Sequence, residues 1–291
     1  MTVQRVSDLR ARMRSLGELR EVVGAMRSLA AVRIQQAQET LEAIREYASV
    51  VERALCDSAP YPPPGSDATV VEQPPPMTGV VAFGSEHGFV GAYNDRVLDR
   101  ALGQVDGPRD SIFVVGARAA LLAKELEHPI AWTCPMASHV GGVDDVALRT
   151  AAEIANGVAE GLTRVVLVYT RSARGEASQV VAETLLPFDV RPYASTRGRR
   201  PPPLSNLRPR ALFDRLVEEL TFAQLARAAT ESFASENAAR LAAMDSAHEN
   251  IDNKLVDLVR LEREGRQEEI TTELLDIVTG AEVVGRPGAL G

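Results

Sequence analysis

The sequence predicts an α/β domain inserted between two long helices that pair with each other as a long antiparallel coiled coil. Three observations support this fold class. Apolar residues recur at steps of three and four over both ends of the chain, and the middle alternates short apolar runs with helical stretches. Proline-rich segments separate that middle from the ends, so we expect it to form a domain of its own, Rossmann-like in outline.

The first segment, residues 1–58, predicts a single helix. One apolar face continues for about 50 residues, which at about 1.5 Å per residue makes a rod of roughly 75–80 Å. A periodic run of that length is typical of a coiled coil. Gly17 and Gly24 each weaken the helix by about 1 kcal/mol relative to alanine. The apolar face consists of Val6, Leu9, Met13, Leu16, Leu19, Val23, Met26, Ala30, Ala37, Leu41, Ile44, Ala48, Val51 and Leu55.

Two proline-rich segments, residues 59–76 and 196–210, predict extended connectors. The first contains two proline triplets and the second contains another. Proline fixes its own backbone angle and has no N–H to donate, so such runs form stiff extended chain instead of helix. The connectors set residues 77–195 apart as the inserted domain.

The inserted domain alternates strands and helices, which is the pattern of a small parallel sheet with crossover helices. This pattern leaves the segments near 178–186 and 190–193 unassigned. The predicted strands are Val80–Phe83, Ile112–Val115 and Val165–Tyr169, and the predicted helices are Asn94–Leu102, Ala117–Leu126 and Val143–Gly161.

Residues 211–284 predict a second long helix, followed by a tail over residues 285–291. Its apolar stripe is interrupted over residues 260–269 by three arginines and four glutamates. One interpretation is a solvated stretch with pairs such as Glu262 and Arg266, four residues apart. The other is a shaft that contacts polar loops of a partner, with the apolar end seated in the partner's bore. Gly265 favours the second interpretation, because it allows another backbone to approach closely.

The loop after the first predicted strand, FGSEHGFVGAYN, raises the question of catalysis. Gly84, Gly88 and Gly91 match neither a dinucleotide-binding fingerprint nor a phosphate-binding loop, and no lysine stands nearby. Glu86 and His87 offer an acid–base pair, but no nucleophile accompanies them. We therefore expect the glycines to serve turn geometry and close backbone packing.

Composition and charge exclude several classes of function. The net charge of −8 gives no overall attraction to nucleic acid or to anionic lipid. Cys56 and Cys134 lack the spacing of metal or redox sites. Asp144 and Asp145 are too few for a metal site, and one of them is expected to be the N-cap of the following helix. No apolar run is long enough to span a membrane. We expect no cofactor, no metal and no nucleic-acid partner.

Three motifs resemble those of the γ subunit of F-type ATP synthases, the central rotor shaft of those complexes. The resemblance runs from about residue 4 to residue 284 and is strongest at the two ends. It is carried by RMRSLGELREVVGAMRSLAAVRIQQAQ over residues 12–38, by GSEHGFVGAYN over residues 84–94, and by SENAARLAAM and RQEEITTELLDIVTGA over residues 235–244 and 266–281.

The sequence also departs from the family's motifs. Glu86-His87 stands where the family usually has Asp-Arg, and Gly24 stands where it has a lysine. Arg263 replaces an asparagine three residues before the Arg-Gln pair. These departures indicate a divergent lineage or a second, paralogous ATPase of the same type.

The resemblance implies a non-catalytic subunit that couples transmembrane ion flow, by rotation, to ATP synthesis or hydrolysis at the β-subunit sites. Its implied partners are the α and β subunits of the catalytic ring, the ε subunit and the membrane c-ring. Its implied location is peripheral, at the cytoplasmic face of the bacterial cell membrane, with membrane contact only through partner subunits.

The resemblance also implies roles for individual residues. Those implied to contact the β-subunit catch loop are Arg266 and Gln267, with Glu262 and Arg263 one turn earlier. Those implied to face the β-subunit levers are Met26 and Arg27. The implied apolar bearing tip comprises Ile270, Leu274, Ile277 and Val278. The implied foot-domain motif comprises Ser85, Gly88, Gly91, Tyr93 and Asn94.

Two other functions remain open from the residues alone. The α/β domain could carry a nucleotide-dependent enzyme, against which the missing phosphate-binding loop argues. The chain could also be a plain coiled-coil scaffold with an α/β head, which would tolerate the loss of Arg266 and Gln267.

Overall fold

The computed structural model describes residues 2–58, 77–127, 130–171, 178–189 and 205–284. The elements, in chain order, are α1 (Thr2–Ser58), β1 (Thr78–Phe83), α2 (Tyr93–Leu102), β2 (Ser111–Val115), α3 (Ala117–Glu125), β3 (Ile130–Cys134), a 3-10 turn (Val140–Gly142), α4 (Val143–Glu160), β4 (Arg164–Arg171), β5 (Gln179–Leu186) and α5 (Pro209–Val284).

The two long helices and the alternating middle agree with the sequence prediction. All three predicted strands and all three predicted crossover helices are present, with bounds that differ by at most two residues. The predicted connector 59–76, most of the connector 196–210, the tail 285–291 and the segment 190–193 lie outside the described residues. The predicted domain boundaries therefore stay predictions.

The described chain divides into two compact units. The residues up to Leu29 and from Ala242 onward form the first unit, and the residues from Ala30 to Leu241 form the second. Both long helices contribute residues to both units.

In the first unit, α1 and α5 contact each other in opposite order along the chain. Three ion pairs join the two helices: Arg10 with Glu262 at 2.9 Å, Arg20 with Asp252 at 2.6 Å, and Arg27 with Asp245 at 2.5 Å. The pairs are solvent-exposed, so each contributes at most about 1 kcal/mol. Their value lies in register, because they fix which turn of one helix faces which turn of the other.

Apolar contacts supply the adhesion between these helix segments. Val23, Met244 and Ile251 are buried at the centre, and each contributes about 1.5–3 kcal/mol by leaving water. The half-buried side chains that pack around them are Leu16, Met26, Ala243, Ala247 and Leu255. The close neighbour of Gly265 belongs to α1 of the same chain, since a Cβ at Gly265 would lie 3.2 Å from Cγ2 of Val6.

The second unit contains a five-stranded sheet with the strand order β3-β2-β1-β4-β5. Strands β1 to β4 are parallel, and β5 runs antiparallel to β4 at one edge. Two strands were not predicted. β3 is a short edge strand whose residues alternate between half-buried and exposed, and β5 is mostly half-buried, so neither has the continuous apolar run of a central strand.

Alternate residues of β1 enter two different cores. Val81 and Phe83 pack on one face with α4 and with a segment of α5 around Phe233. Val80 and Ala82 pack on the other face with α2. β1 is fully buried because helices cover both faces of the sheet and β2 and β4 flank it.

The loops after β1 and β2 meet at the carboxyl edge of the sheet, and glycines allow the close approach. Gly84 donates its N–H to the carbonyl of Val115 at 2.8 Å. A Cβ on Gly84 would lie 2.2 Å from the Cβ of Ala119. Gly116 has a φ of 110°, and a Cβ there would lie 2.6 Å from the carbonyl oxygen of Ser85. The carboxyl edge therefore depends on glycine at both positions.

One sequence prediction about helix capping is wrong. Asp144 and Asp145 were expected to include the N-cap of α4, but the N-cap is Gly142 and both aspartates lie in the first turn. Their carboxylates still favour this end of the helix, because the positive end of the helix dipole lies there.

Among the described helices, none combines the length and the apolar content that a membrane crossing requires. The same part of the chain contains no group of three or more histidine, cysteine, aspartate or glutamate residues arranged to hold a metal ion.

We expect Gly84→Ala to destabilise the protein by about 1–3 kcal/mol, because the new methyl group overlaps Ala119 in a packed loop junction. Gly88→Ala is the matched control. Nothing lies within 4 Å of a Cβ at that position, and its expected effect is within about 0.5 kcal/mol. Urea unfolding of both variants measures the difference, and equal stability of the two would contradict the packing argument.

Candidate functional site

The loop between β1 and α2 is fastened at its base by Ser85 and Asn94. The N–H of Ser85 donates to Oδ1 of Asn94 at 2.9 Å, and Nδ2 of Asn94 donates to Oγ of Ser85 at 2.8 Å. Both side chains are buried. Tyr93 is also buried, and its hydroxyl donates to the carbonyl of Ser232 on α5 at 3.2 Å. Three residues of the predicted foot-domain motif therefore hold the loop in shape.

The tip of the loop contains two residues with left-handed backbone. Gly91 has a φ of 56°, which glycine adopts without strain. Phe89 has a φ of 61°, where a non-glycine residue is strained, and its ring is exposed. Gly88 has neither a positive φ nor a close neighbour, so the structure does not explain glycine at that position.

The carboxylate of Glu86 bonds to backbone groups, which bears on whether this loop is catalytic. Its Oε2 accepts hydrogen bonds from the N–H of Ala117 at 3.0 Å and from the N–H of Met136 at 2.7 Å. Ala117 is the first residue of α3, whose N-cap Gly116 has no side chain to supply a cap. The Glu86 carboxylate therefore holds two backbone segments, and the geometry gives no support to an acid–base pair with His87.

A buried ion pair on α5 clamps the same loop. Nη2 of Arg240 lies 2.7 Å from Oε1 of Glu236, one helical turn away, and the two side chains are 6% and 3% exposed. Arg240 also donates to the carbonyls of His87 and Gly88 at 3.2–3.3 Å. Oε2 of Glu236 accepts the N–H of Glu86 at 3.3 Å. We name Glu236 and Arg240 the loop clamp.

Keeping Glu236 ionised in its buried position costs free energy. Burial raises its pKa, against the opposing effects of Arg240 and of the backbone N–H groups of Glu86 and His87. The folded state therefore binds this proton more tightly than the unfolded chain does. The stability linked to Glu236 is present at low pH and is lost as the pH rises through the folded-state pKa. The loop clamp thus fixes the position of the loop after β1 more than it adds to the stability of the fold.

Sequence reasoning missed the role of the loop clamp. Glu236 and Arg240 lie within the SENAAR motif and are four residues apart, which is the spacing of a helical ion pair. That spacing is common on exposed helix surfaces. Nothing in the sequence distinguishes this pair as buried against a loop some 150 residues away.

In the first unit, the polar segment of α5 combines pairing within the chain with exposed side chains. Glu262 accepts from Nε of Arg10 at 2.9 Å and from Nη2 of Arg266 at 3.4 Å. The predicted pairing of Glu262 with Arg266 is therefore present. Arg263, Arg266 and Gln267 are exposed. Because Arg266 and Gln267 lie three and four residues after Arg263, the three side chains occupy one face of the helix.

An exposed apolar stripe follows the polar segment. Ile270, Leu274, Ile277 and Val278 recur at helical spacing and are each more than half exposed. Leu275, which was not among the predicted tip residues, is exposed to a similar extent. Apolar side chains grouped in this way mark interaction surfaces in soluble proteins.

The predicted lever contacts on α1 lie beside the pairing with α5. Met26 is half-buried in the apolar cluster around Val23, and Arg27 forms its ion pair with Asp245. The exposed apolar side chains of this stretch are instead Leu19, Val22 and Leu29. Sequence reasoning counted Leu19 with the buried stripe and missed the other two as exposed positions.

Comparison with known proteins gives one consistent family. A family model described as ATP synthase matches residues 5–284. The chain is 29% identical to the ATP synthase gamma chain of Mycobacterium sp. strain KMS, covering 94% of this chain and 95% of that one. It is 27% identical to the gamma chain of Heliobacterium modesticaldum, covering 96% and 98% respectively.

Solved structures share the fold. A chain of the Euglena gracilis mitochondrial ATP synthase, from a structure of OSCP, F1 and the c-ring, superposes with a TM-score of 0.65 at 17% identity, covering 99% of this chain and 97% of that one. A chain of the Tetrahymena thermophila mitochondrial ATP synthase, from a structure of the central stalk and c-ring, gives 0.57 at 18% identity, covering 78% and 99%.

We expect Arg240→Met to destabilise the protein by about 3–5 kcal/mol, because it leaves the buried charge of Glu236 without its ion-pair partner. The loss should shrink in mildly acid buffer, where Glu236 becomes neutral. Arg149→Met is the control, since its pair with Asp145 is exposed and its loss should cost less than about 1 kcal/mol. Urea unfolding measures both, and a loss that does not depend on pH would argue against the buried-charge explanation.

Proposed function

The chain belongs to the ATP synthase gamma-chain family, and from that premise we propose that it is the central rotor shaft of an F-type ATP synthase or ATPase. In this role it couples transmembrane ion flow to ATP synthesis or hydrolysis at the β-subunit sites by rotation. It is a non-catalytic subunit. The family match over nearly the whole chain is the observation that carries the proposal.

The end segments of α1 and α5 form the shaft as an antiparallel coiled coil. Two features support this: the opposite order of the three ion pairs, and the apolar cluster around Val23, Met244 and Ile251. A shaft must transmit torque without one helix sliding on the other. Directional ion pairs oppose sliding, and apolar packing keeps the helices together.

The polar segment contacts the β-subunit catch loop through Arg266 and Gln267, with Arg263 on the same face. Their exposure supports this role, because exposed side chains can reach a partner. Glu262 has a different part, since Arg10 and Arg266 both bond to it. It positions Arg266 for the partner while anchoring that side chain to α1.

The apolar tip of Ile270, Leu274, Ile277 and Val278 turns within a bearing formed by the α and β subunits. Apolar contact suits rotation because few directional bonds must break as the helix turns. Burial of each of these side chains would contribute about 1.5–3 kcal/mol, which the isolated chain does not gain.

Met26 and Arg27 lie beside the β-subunit levers, and Arg27 keeps about half of its side chain exposed while it pairs with Asp245. The domain around the sheet is the foot, which meets the ε subunit and the c-ring. Within it, Ser85, Gly91, Tyr93 and Asn94 shape the loop, and Gly88 offers its carbonyl to Arg240.

The chain acts at the cytoplasmic face of the bacterial cell membrane and reaches the membrane only through partner subunits. The departures at Gly24 and at Glu86-His87 point to a divergent or paralogous complex of this type. The two rival functions find less support. Glu86 is committed to backbone hydrogen bonds, and a plain scaffold has no use for an exposed apolar tip.

Affinity purification of the tagged full-length chain from its own organism tests the function. We expect α, β, ε and c subunits in one complex with ATPase activity, and no ATP hydrolysis by the chain alone. Recovery of the chain without those subunits, or nucleotide turnover by the purified chain, would overturn the proposal.

We expect Arg266→Ala combined with Gln267→Ala to lower the ATPase rate of the assembled complex by about tenfold or more while assembly survives. Loss of one or two charge-assisted hydrogen bonds of about 1.5–3 kcal/mol each is the physical reason. The control is Arg215→Ala combined with Glu218→Ala, an exposed pair near the start of the same helix and far from the proposed contact. The ATPase rate per assembled complex is the measurement, and equal rates for the two double variants would refute the catch-loop assignment.

A further inference from the structure

A cluster of charged side chains in the second unit lies apart from the residues discussed so far. It joins α1, the strands β4 and β5, and α5. Its members are Arg45, Tyr169, Arg171, Glu183, Arg227 and Glu231. We call these six residues the hairpin cluster.

Glu183 on β5 is the well-bonded carboxylate of the hairpin cluster. Its Oε2 accepts from the hydroxyl of Tyr169 at 2.8 Å and from Nη2 of Arg227 at 2.6 Å, and its Oε1 pairs with Nη2 of Arg171. Burial alone would raise the pKa of Glu183. The hydrogen bond from Tyr169 and the charges of Arg227 and Arg171 outweigh it and lower the pKa. Glu183 thus stays ionised and ties both strands to α5.

Glu231 on α5 is the poorly bonded carboxylate of the same cluster. Its side chain is 3% exposed, yet Nη2 of Arg45 lies 3.8 Å from Oε1 and Nε of Arg171 lies 3.6 Å from Oε2. Both distances exceed those of a hydrogen bond. Oε2 is buried with no hydrogen-bond partner among the described residues. A carboxylate held in this way carries the cost of burial without the bonds that offset it.

We propose that Glu231 is the proton-sensitive member of the hairpin cluster. Its protonation frees the Arg45 side chain and removes the cost of a buried charge between α1 and α5, while Glu183 keeps β4 and β5 tied to α5 and apolar packing keeps α1 in place. Among the described contacts, Glu231 is the only member of the cluster with which Arg45 forms an ion pair. Loss of that charge therefore leaves Arg45 without a partner there.

Electrostatics gives the direction of the change. With both carboxylates ionised, three guanidinium groups face two negative charges. With Glu231 neutral, three face one, so the arginines repel one another more strongly. Arg45 is the member free to leave, because its side chain is 56% exposed and can turn to water at little cost.

The two carboxylates respond to pH in opposite senses. Burial is the main cause that raises the pKa of Glu231, against the charges of Arg227, Arg171 and Arg45 and with that of Glu183. Stability linked to Glu231 is therefore present at low pH and is lost as the pH rises through its folded-state pKa. Stability linked to Glu183 is present above the ordinary glutamate pKa and is lost as the pH falls through its lowered one. On acidification, Glu231 is neutralised first.

Carboxyl NMR titration of the full-length chain, wild type against Glu231→Gln, is the first test. We expect the carboxyls of Glu231 and Glu236 to titrate above the ordinary glutamate range, and only the first of them to vanish in Glu231→Gln. A Glu231 carboxyl that titrates at or below the ordinary range overturns the proposal, and this measurement needs no variant to be active.

Amide hydrogen exchange of the segment of α1 around Arg45 is the second test. Corrected for the intrinsic pH dependence of exchange, protection in the wild type should rise on mild acidification, because the stability linked to Glu231 is present at low pH. In Glu231→Gln protection should already be high at neutral pH and should not change further, because the buried charge is absent. Glu183→Gln should instead lose protection in β5 at neutral pH.

Glu218→Gln, an exposed glutamate of the same helix, is the control and should match the wild type. The proposal fails if Glu231→Gln leaves protection around Arg45 unchanged. It also fails if Glu231→Gln and Glu183→Gln affect the same segment equally, since a purely structural cluster would respond to either loss alike.

Discussion

Each long helix has an apolar face that it cannot cover alone, and the fold depends on a segment from the other end of the chain to cover it. A single amphipathic helix owes most of its stability to tertiary packing. Here the hydrogen bond between Arg10 and Glu262 joins residues 252 positions apart. The inserted strands and helices therefore separate, in sequence, two segments that need each other in space.

Buried charge is placed in the second unit where backbone position matters. Glu236 and Arg240 hold the loop after β1, and Glu86 holds the start of α3. Glu236 and Arg240 cost free energy to bury, and they recover it through hydrogen bonds to backbone groups that would otherwise lack a partner, whereas Glu86 is only half-buried. Glu231 recovers less, because its carboxylate has ion pairs at long distance and no hydrogen bond on Oε2. Buried carboxylates thus fix the loop after β1 at Glu236, and make the hairpin cluster sensitive to pH at Glu231.

The surfaces left exposed are as informative as the core. Side chains such as Ile270, Leu274 and Ile277 remain in water although they repeat with the period of a buried helix face. Exposed apolar area of this kind is stabilised only by a partner. By contrast, the loop after β1 resembles an active-site turn, but its one carboxylate, Glu86, already accepts two backbone N–H groups on Oε2. The chain therefore presents surfaces for assembly, and its most active-site-like loop is structural.

Much of the architecture could be read from one-dimensional patterns. The apolar periods of three and four predicted both long helices, and continuous apolar runs predicted β1, β2 and β4, because a strand buried on both faces must be apolar throughout. The same reasoning failed for β3 and β5, whose partly exposed residues carry no such run. It also misplaced the N-cap of α4, because aspartate suits both a cap and a first turn.

Some features of the candidate site could likewise be predicted from the sequence, and others could not. The sequence by itself determined the polar segment and the apolar repeat that follows it, since both follow from residue type and helical spacing, but it missed Leu275. The roles of these residues toward partner subunits came from the family resemblance. Only the tertiary structure decided that Glu262 is shared by two arginines, that Glu236 and Arg240 are buried against a loop, and that Glu231 lies among charges it does not reach. These outcomes depend on distances between segments far apart in the chain, and local sequence carries no information about such distances.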